Sequence, residues 1–199
     1  MSTDRFRELV DRIAELSRER LTPLLVAIDG RSGAGKSTLA AAVSAELEAA
    51  VIDGDDFYSG GSAVKWDAMT PAERVDHCID WRRQLPVLEA LCRGELATWR
   101  PYDWEADDGR LADHLLTCPP RRVVILDGAY SARPELAHLL DLRVMLDVPD
   151  EVRRQRLRRR EGEHYRAKWE ARWALAEEYY FERVMPPEAF DLVIRSEGM

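Results

Sequence analysis

At 199 residues, 46% hydrophobic and 33% charged, the chain is long enough to bury the core of one α/β domain and too apolar for a disordered one. Its net charge of −8 is the wrong sign for a general nucleic-acid binder, and no apolar run approaches the ~20 residues of a membrane span. Cys78, Cys92 and Cys118, like His77, His114, His138 and His164, are too scattered for a metal spacing. With no signal-peptide core at the start, this predicts reduced thiols in a cytoplasmic protein.

Phe6, Leu9, Val10, Ile13 and Leu16 recur at helical spacing, so residues 1–21 are expected to carry an amphipathic helix ahead of the main domain. Leu24 to Asp29 reads as a short buried strand, and a helical run from Leu39 extends to about Glu48. Between them stands Gly30-Arg31-Ser32-Gly33-Ala34-Gly35-Lys36-Ser37, which satisfies G-x-x-x-x-G-K-[ST]. Val51-Ile52-Asp53 is the next expected strand, running into the loop Gly54 to Gly61. Thr70-Pro71-Ala72-Glu73 is a capping box with Pro at the first helical position. The helix it starts is predicted to reach toward Trp81, with Pro86 kinking it or opening another that Gly94 closes.

Thr98 to Trp104 is expected to be extended, and Glu105 to Gly109 a polar turn. Val123 to Asp127 and Leu142 to Asp147 read as buried strands ending in acids. Pro149 opens a helix with six arginines between Arg153 and Arg160. A charged helical stretch over Glu163 to Arg183 and a last strand at Phe190 to Ile194 complete the order. Strands alternating with helices predict a parallel, doubly wound sheet with its ligand at the carboxyl ends of the strands.

The glycine loop predicts triphosphate binding. Its glycines let successive N–H groups turn inward at a helix N-terminus, Lys36 supplies a compact cation, and Ser37 offers a hydroxyl to Mg²⁺. Asp127, ending an apolar strand, is the candidate second magnesium residue. Asp53, Asp55 and Asp56 crowd the end of the second strand. Carboxylates beside a triphosphate are electrostatically unfavourable unless a metal or a proton transfer needs them. A hydroxyl attacking a phosphoryl group must lose its proton, and a carboxylate in reach can take it.

Ala27 to Ser37, Asp55-Asp56-Phe57-Tyr58, Tyr102-Asp103, Leu126-Asp127-Gly128 and the arginine run together resemble the uridine kinase branch of the P-loop kinases. That branch is itself similar to the phosphoribulokinase and bacterial pantothenate kinase families. The resemblance runs in order over roughly residues 22–195. It implies a three-layer α/β/α P-loop fold, with a mostly parallel sheet of about five strands and a helical lid over 150–168. It further implies one domain over 1–199, with the acceptor held by residues 59–118.

The resemblance implies catalytic roles for Asp55 as base, with Asp53 and Asp56 as substitutes, and for Lys36 and Arg159. Gly30, Ser32, Gly33, Ala34, Gly35, Lys36, Ser37, Thr38, Arg156 and Arg160 are expected to bind the nucleotide. Asp53, Tyr58, Asp80, Tyr102, Asp103 and Trp104 are expected on the acceptor. Three departures stand out. Asp127-Gly128 replaces the usual Glu-Gly, residues 58–80 do not match the usual nucleoside-holding segment, and the lid ends Glu161-Gly162-Glu163.

The expected activity is therefore transfer of the γ-phosphoryl group of ATP, with Mg²⁺, to a hydroxyl of a small molecule. A nucleoside is the first-choice acceptor; pantothenate-like, sugar-like and antibiotic acceptors are the alternatives, and a nucleotide-binding regulatory switch is the non-enzyme rival. A guanine-reading Asn-Lys-x-Asp does not occur in the chain. No nucleic acid or membrane partner is expected, and homo-oligomerisation is left open.

Overall fold

The computed structural model describes residues 3–106, 108–162 and 167–195. Five strands, β1 (Leu24–Asp29), β2 (Ala50–Asp53), β5 (Val123–Asp127), β6 (Leu142–Asp147) and β7 (Leu192–Arg195), form a sheet in the order β2-β5-β1-β6-β7. Every pairing is parallel. All six residues of β1 and all five of β5 are buried. A strand covered on both faces must be apolar at every position, which is why these two read as continuous apolar runs.

Alternation sorts the side chains into two cores. Leu24, Val26 and Ile28 pack with Leu9 and Ile13 of α1 (Thr3–Arg18) and Leu39 and Val43 of α2 (Lys36–Leu47). Leu25 and Ala27 face the opposite core, with Val75 of α4 (Pro71–Cys78), Leu88 of α5 (Trp81–Cys92) and Trp173 of α7 (Ala167–Tyr179). Helix layers therefore cover both faces of a parallel sheet, the expected α/β/α arrangement. After β1 the chain crosses outward to β2, and after β5 it passes to the other side at β6. The crevice at the carboxyl end of β1 lies at that reversal.

The acceptor-side half departs from expectation in two places. The predicted helix from Thr70 ends at Cys78 instead of reaching toward Trp81, because Ile79 is extended and bridges Tyr58 while the Asp80 N–H donates to Phe57 O at 2.8 Å. Asp80 then caps α5 by accepting from the Arg82 N–H, and Pro86 sits inside that helix. Two elements had gone unpredicted: the short α3 (Ala63–Asp67), which buries Trp66 fully, and β4 (Leu116–Cys118), which pairs antiparallel with β3 (Ala97–Trp99). The helical stretch expected over 163–183 is α7 followed by a wide π turn over Tyr180–Val184; residues 163–166 lie outside the described residues. The lid region opens with α6 (Asp150–Glu161).

One close approach holds the sheet end together. A Cβ on Gly54 would stand 2.9 Å from Asp127 O and 3.3 Å from the Gly128 Cα, and neither backbone atom has a flexible side chain's freedom to move. Gly54→Ala is expected to destabilise the protein by about 1–3 kcal/mol, the usual cost of overpacking. Urea denaturation checks this; an unchanged midpoint would mean the two strand ends separate freely.

Candidate active site

The crevice at the ends of β1, β2 and β5 is a cleft of about 450 Å³. Ser32, Gly33, Gly35, Lys36, Ser37 and Thr38 line one wall, Asp53, Asp55 and Asp127 another, and Arg156 and Arg160 reach in from α6. Local sequence accounts for the first wall. Gly33 at φ +77° and Gly35 at φ +99° take left-handed angles that other residues rarely adopt, and α2 begins directly after them. N–H groups at the start of α2 thus face the cleft with the positive end of the helix dipole.

Lys36 Nζ donates to Gly30 O at 2.8 Å and Arg31 O at 3.3 Å, so the ammonium folds back over the loop that it serves. Gly30 lies at the base of the loop, and Ala34 is buried with its carbonyl accepting from Arg156 Nη1 at 2.9 Å. Arg153, on the same helix face, donates to Ser32 O at 2.8 Å. The start of α6 is therefore docked on the phosphate loop's carbonyls. Arg159 is on the exposed flank of α6 and does not line the cleft, unlike its neighbours Arg156 and Arg160. The lid resemblance had grouped the three.

The three candidate bases are in three different situations. Asp56 accepts from the Trp99 indole at 2.9 Å. Asp53 caps the 3₁₀ turn Gly54–Phe57 by accepting from the Asp55 N–H at 2.9 Å. Asp55 is exposed to the cleft, and among the described residues its carboxylate holds no hydrogen bond.

Burial, then the charge of Asp55, pushes the Asp53 carboxyl up to about 6, with Asp56 and Asp127 adding to the effect. The Asp53 side chain keeps contact with water, which screens the consequence for stability. The sign is fixed, however. A raised carboxyl favours the protonated folded protein, so the ligand-free protein gains stability as pH falls through 6 toward the ordinary value and loses it above 6. Carbon-13 NMR of the carboxyl groups is expected to show an inflection near 6 that moves down in Asp55→Asn. An inflection near 4, unmoved by that change, would contradict this picture.

Asp127 is buried, and burial raises its carboxyl above the ordinary range, an effect that the neighbouring Ser37 hydroxyl and Lys36 ammonium partly offset. Its Oδ1 is buried and has no hydrogen-bond partner among the described residues. An unpartnered carboxylate oxygen beside a serine hydroxyl suits Mg²⁺, which takes few protein ligands and keeps water and phosphate oxygens. No enclosing group of three His, Cys, Asp or Glu side chains occurs among the described residues.

The remaining acceptor-side candidates do not line this cleft. Tyr58 and Tyr102 are buried, and Trp104 stacks on Tyr58 with centroids 5.0 Å apart. Tyr58 also meets Trp66, Tyr102, Trp169 and Trp173, forming an aromatic cluster next to the cleft. Asp103 closes its own turn by accepting from the N–H groups of Glu105 and Ala106, and Asp80 caps α5.

Two side chains that organise the site had not been singled out. Asp29 is fully buried and accepts four hydrogen bonds. Oδ1 takes the N–H groups of Gly30 at 2.7 Å and Tyr130 at 3.1 Å; Oδ2 takes the Ala132 N–H at 2.9 Å and the Tyr180 hydroxyl at 2.8 Å. Burial pushes its carboxyl up, and these donors offset part of that shift. Glu177 of α7 accepts from both the N–H and the hydroxyl of Ser32. Asp29 had a signal, a carboxylate directly before the glycine loop; Glu177, distant in the chain, had none.

Known proteins resemble this chain in sequence and in fold. A uridine kinase from Clostridium botulinum (strain Langeland) is 26% identical over 137 residues, covering 66% of this chain and 65% of that one. The inorganic pyrophosphatase TTM2 of Arabidopsis thaliana is 31% identical over 129 residues, covering 65% of this chain and 18% of that one. The chain thus spans less than two thirds of the length of each of these relatives. Among solved structures, a candidate fructose transport system kinase from Silicibacter sp. TM1040 superposes with a TM-score of 0.65 at 25% identity, over 92% of this chain and 98% of that one. A possible uridine kinase from Bacillus stearothermophilus (TM-score 0.64, 24% identity, 94% and 99% covered) shares the fold. The AAA domain family matches residues 25–182, the span that runs from β1 through the phosphate loop to the π turn, so the chain belongs to that family; its similarity to uridine kinases fits the uridine kinase-like branch of the P-loop kinases.

Proposed function

We propose that this protein is an ATP- and Mg²⁺-dependent phosphotransferase that moves the γ-phosphoryl group to a hydroxyl of a small molecule, with a nucleoside as the first-choice acceptor. One observation carries the reading: the Asp55 carboxylate, free of hydrogen bonds among the described residues, shares a cleft with Lys36 and Ser37. A purely nucleotide-binding protein has no use for a bare acid next to phosphates, where it weakens binding. A kinase does.

In this reading the phosphate loop and Lys36 cradle the triphosphate, while Arg156 and Arg160 neutralise charge on the transferred group. Ser37 and Asp127 would hold Mg²⁺, which when bound neutralises charge on the phosphate oxygens. Asp55 orients the acceptor hydroxyl and takes its proton as the oxygen attacks; the leaving group is ADP.

The 26% identity to a uridine kinase supports a nucleoside acceptor, as does the aromatic cluster around Tyr58, whose Trp104 is half exposed. A sugar-like acceptor is the second reading, supported by the near-complete superposition on the candidate fructose transport system kinase. ADP release should be measured with ATP, Mg²⁺ and a panel of nucleosides, sugars, pantothenate-like compounds and hydroxylated antibiotics. At least one acceptor is expected to raise turnover well above the water background. A panel with no stimulation would favour the regulatory-switch reading instead.

A further inference from the structure

Ser32 is the loop residue whose donors are both taken by another helix. Its N–H donates to Glu177 Oε1 at 2.7 Å and its hydroxyl to the same oxygen at 2.6 Å. Glu177 is almost wholly buried, its side chain 4% exposed. The Arg153 guanidinium stands 3.9 Å from the other carboxylate oxygen and also donates to Ser32 O at 2.8 Å. Arg153 is in turn anchored by Asp150 at 2.5 Å. Ser32 is thus gripped at its N–H, its hydroxyl and its carbonyl by side chains from α6 and α7.

A carboxylate in this place needs a reason. Burying a charge is unfavourable by several kcal/mol unless its partners are good, and a negative charge behind a phosphate site opposes the ligand. Arg153 removes most of that opposition. What remains is geometry: two charge-assisted bonds onto one residue, stronger and shorter than neutral ones. They hold the loop immediately before Gly33 and Gly35, the two left-handed residues on which the inward turn of its N–H groups depends.

We propose that Glu177 is a positioning residue for the phosphate loop: by holding both donors of Ser32, it pre-forms the anion nest and thereby sets nucleotide affinity. It touches no substrate atom. Preorganisation of this kind appears as binding free energy, because the loop's ordering cost is met before the ligand arrives. The proposal rests on the nucleotide-binding reading of the cleft and not on the identity of the acceptor.

The test is equilibrium binding of a fluorescent ATP analogue with Mg²⁺ and no acceptor, so a failed acceptor panel leaves it intact. Glu177→Ala is expected to weaken binding about tenfold. Ser32→Ala, which loses only the hydroxyl, is expected to weaken it about threefold. The double variant should bind no worse than Glu177→Ala alone, since both changes remove one linkage. Glu177→Gln keeps an oxygen for Ser32 and should stay within about threefold of the parent protein. Unchanged affinity in Ser32→Ala, or strictly additive losses in the double variant, would overturn the proposal. So would a lowered thermal midpoint in Glu177→Ala with affinity intact, which marks a merely structural pair. Should Glu177→Ala fail to fold, Ser32→Ala decides alone.

Discussion

Asp55→Asn is expected to lower the turnover number by about a thousandfold while ATP affinity stays within a few-fold. A positioned general base contributes typically ~10²–10⁴ to a rate, and the amide keeps the size of the carboxylate while losing its basicity. The neighbouring acids respond differently because they are differently engaged. Asp56→Asn weakens a bond to the Trp99 indole, so its expected effect is a stability loss of about 1 kcal/mol with turnover changed less than tenfold. Asp53→Ala removes the cap of the 3₁₀ turn that carries Asp55, which should displace the base and reduce turnover by roughly ten- to a hundredfold. The order Asp55, then Asp53, then Asp56 is what single-turnover measurements should return. Near-normal turnover in Asp55→Asn would remove it as the base and send the search to Asp53.

The contrast among these three acids also shows what the chain's order of residues could and could not disclose. The sheet was legible because burial on both faces leaves a strand no freedom but to be apolar, as in Val123 to Leu126. The glycine loop was legible because only glycine tolerates its backbone angles. Acceptor-side elements were not, since short pieces such as α3 and β4 are held by long-range contacts, Trp66 on Trp173 and Leu116 beside Trp99, rather than by local pattern. The helix boundary at Ile79 was set by a bridge to Tyr58, which no local rule reports.

Among site residues the same division holds. Carboxylates at strand ends could be found by position, whereas Arg159, grouped with Arg156 and Arg160 by the lid resemblance, does not line the cleft as they do. Trp99 is similar. Its indole donates to Asp56 and its ring stacks on Phe57, contacts that no local pattern announces. Roles that depend on which way a side chain turns, or on a partner such as Glu177 far along the chain, need coordinates.

Gly33→Ala should be a severely damaging single methyl group in the donor half, lowering turnover by about a hundredfold. Two penalties coincide there. The residue sits at φ +77°, where a side chain is strained by roughly 1 kcal/mol. Its Cβ would also stand 2.7 Å from Arg153 O and 2.9 Å from Leu157 Cγ, both on α6. Arg153 O is helix backbone, so relief requires α6 to lift off the loop. That displaces Arg156, which lines the cleft, and breaks the Arg153 grip on Ser32. Gly35 supplies the control. Its φ of +99° is equally unsuited to alanine, yet a Cβ there meets only Arg156 Nη1 at 3.7 Å, ordinary contact. In the ligand-free protein the thermal midpoint should therefore fall further for Gly33→Ala than for Gly35→Ala, the difference reporting the undocking of α6 alone. Equal midpoints would mean that α6 does not rest on the loop before nucleotide binds. The arginines would then have to be carried to the phosphates by closure rather than waiting beside them.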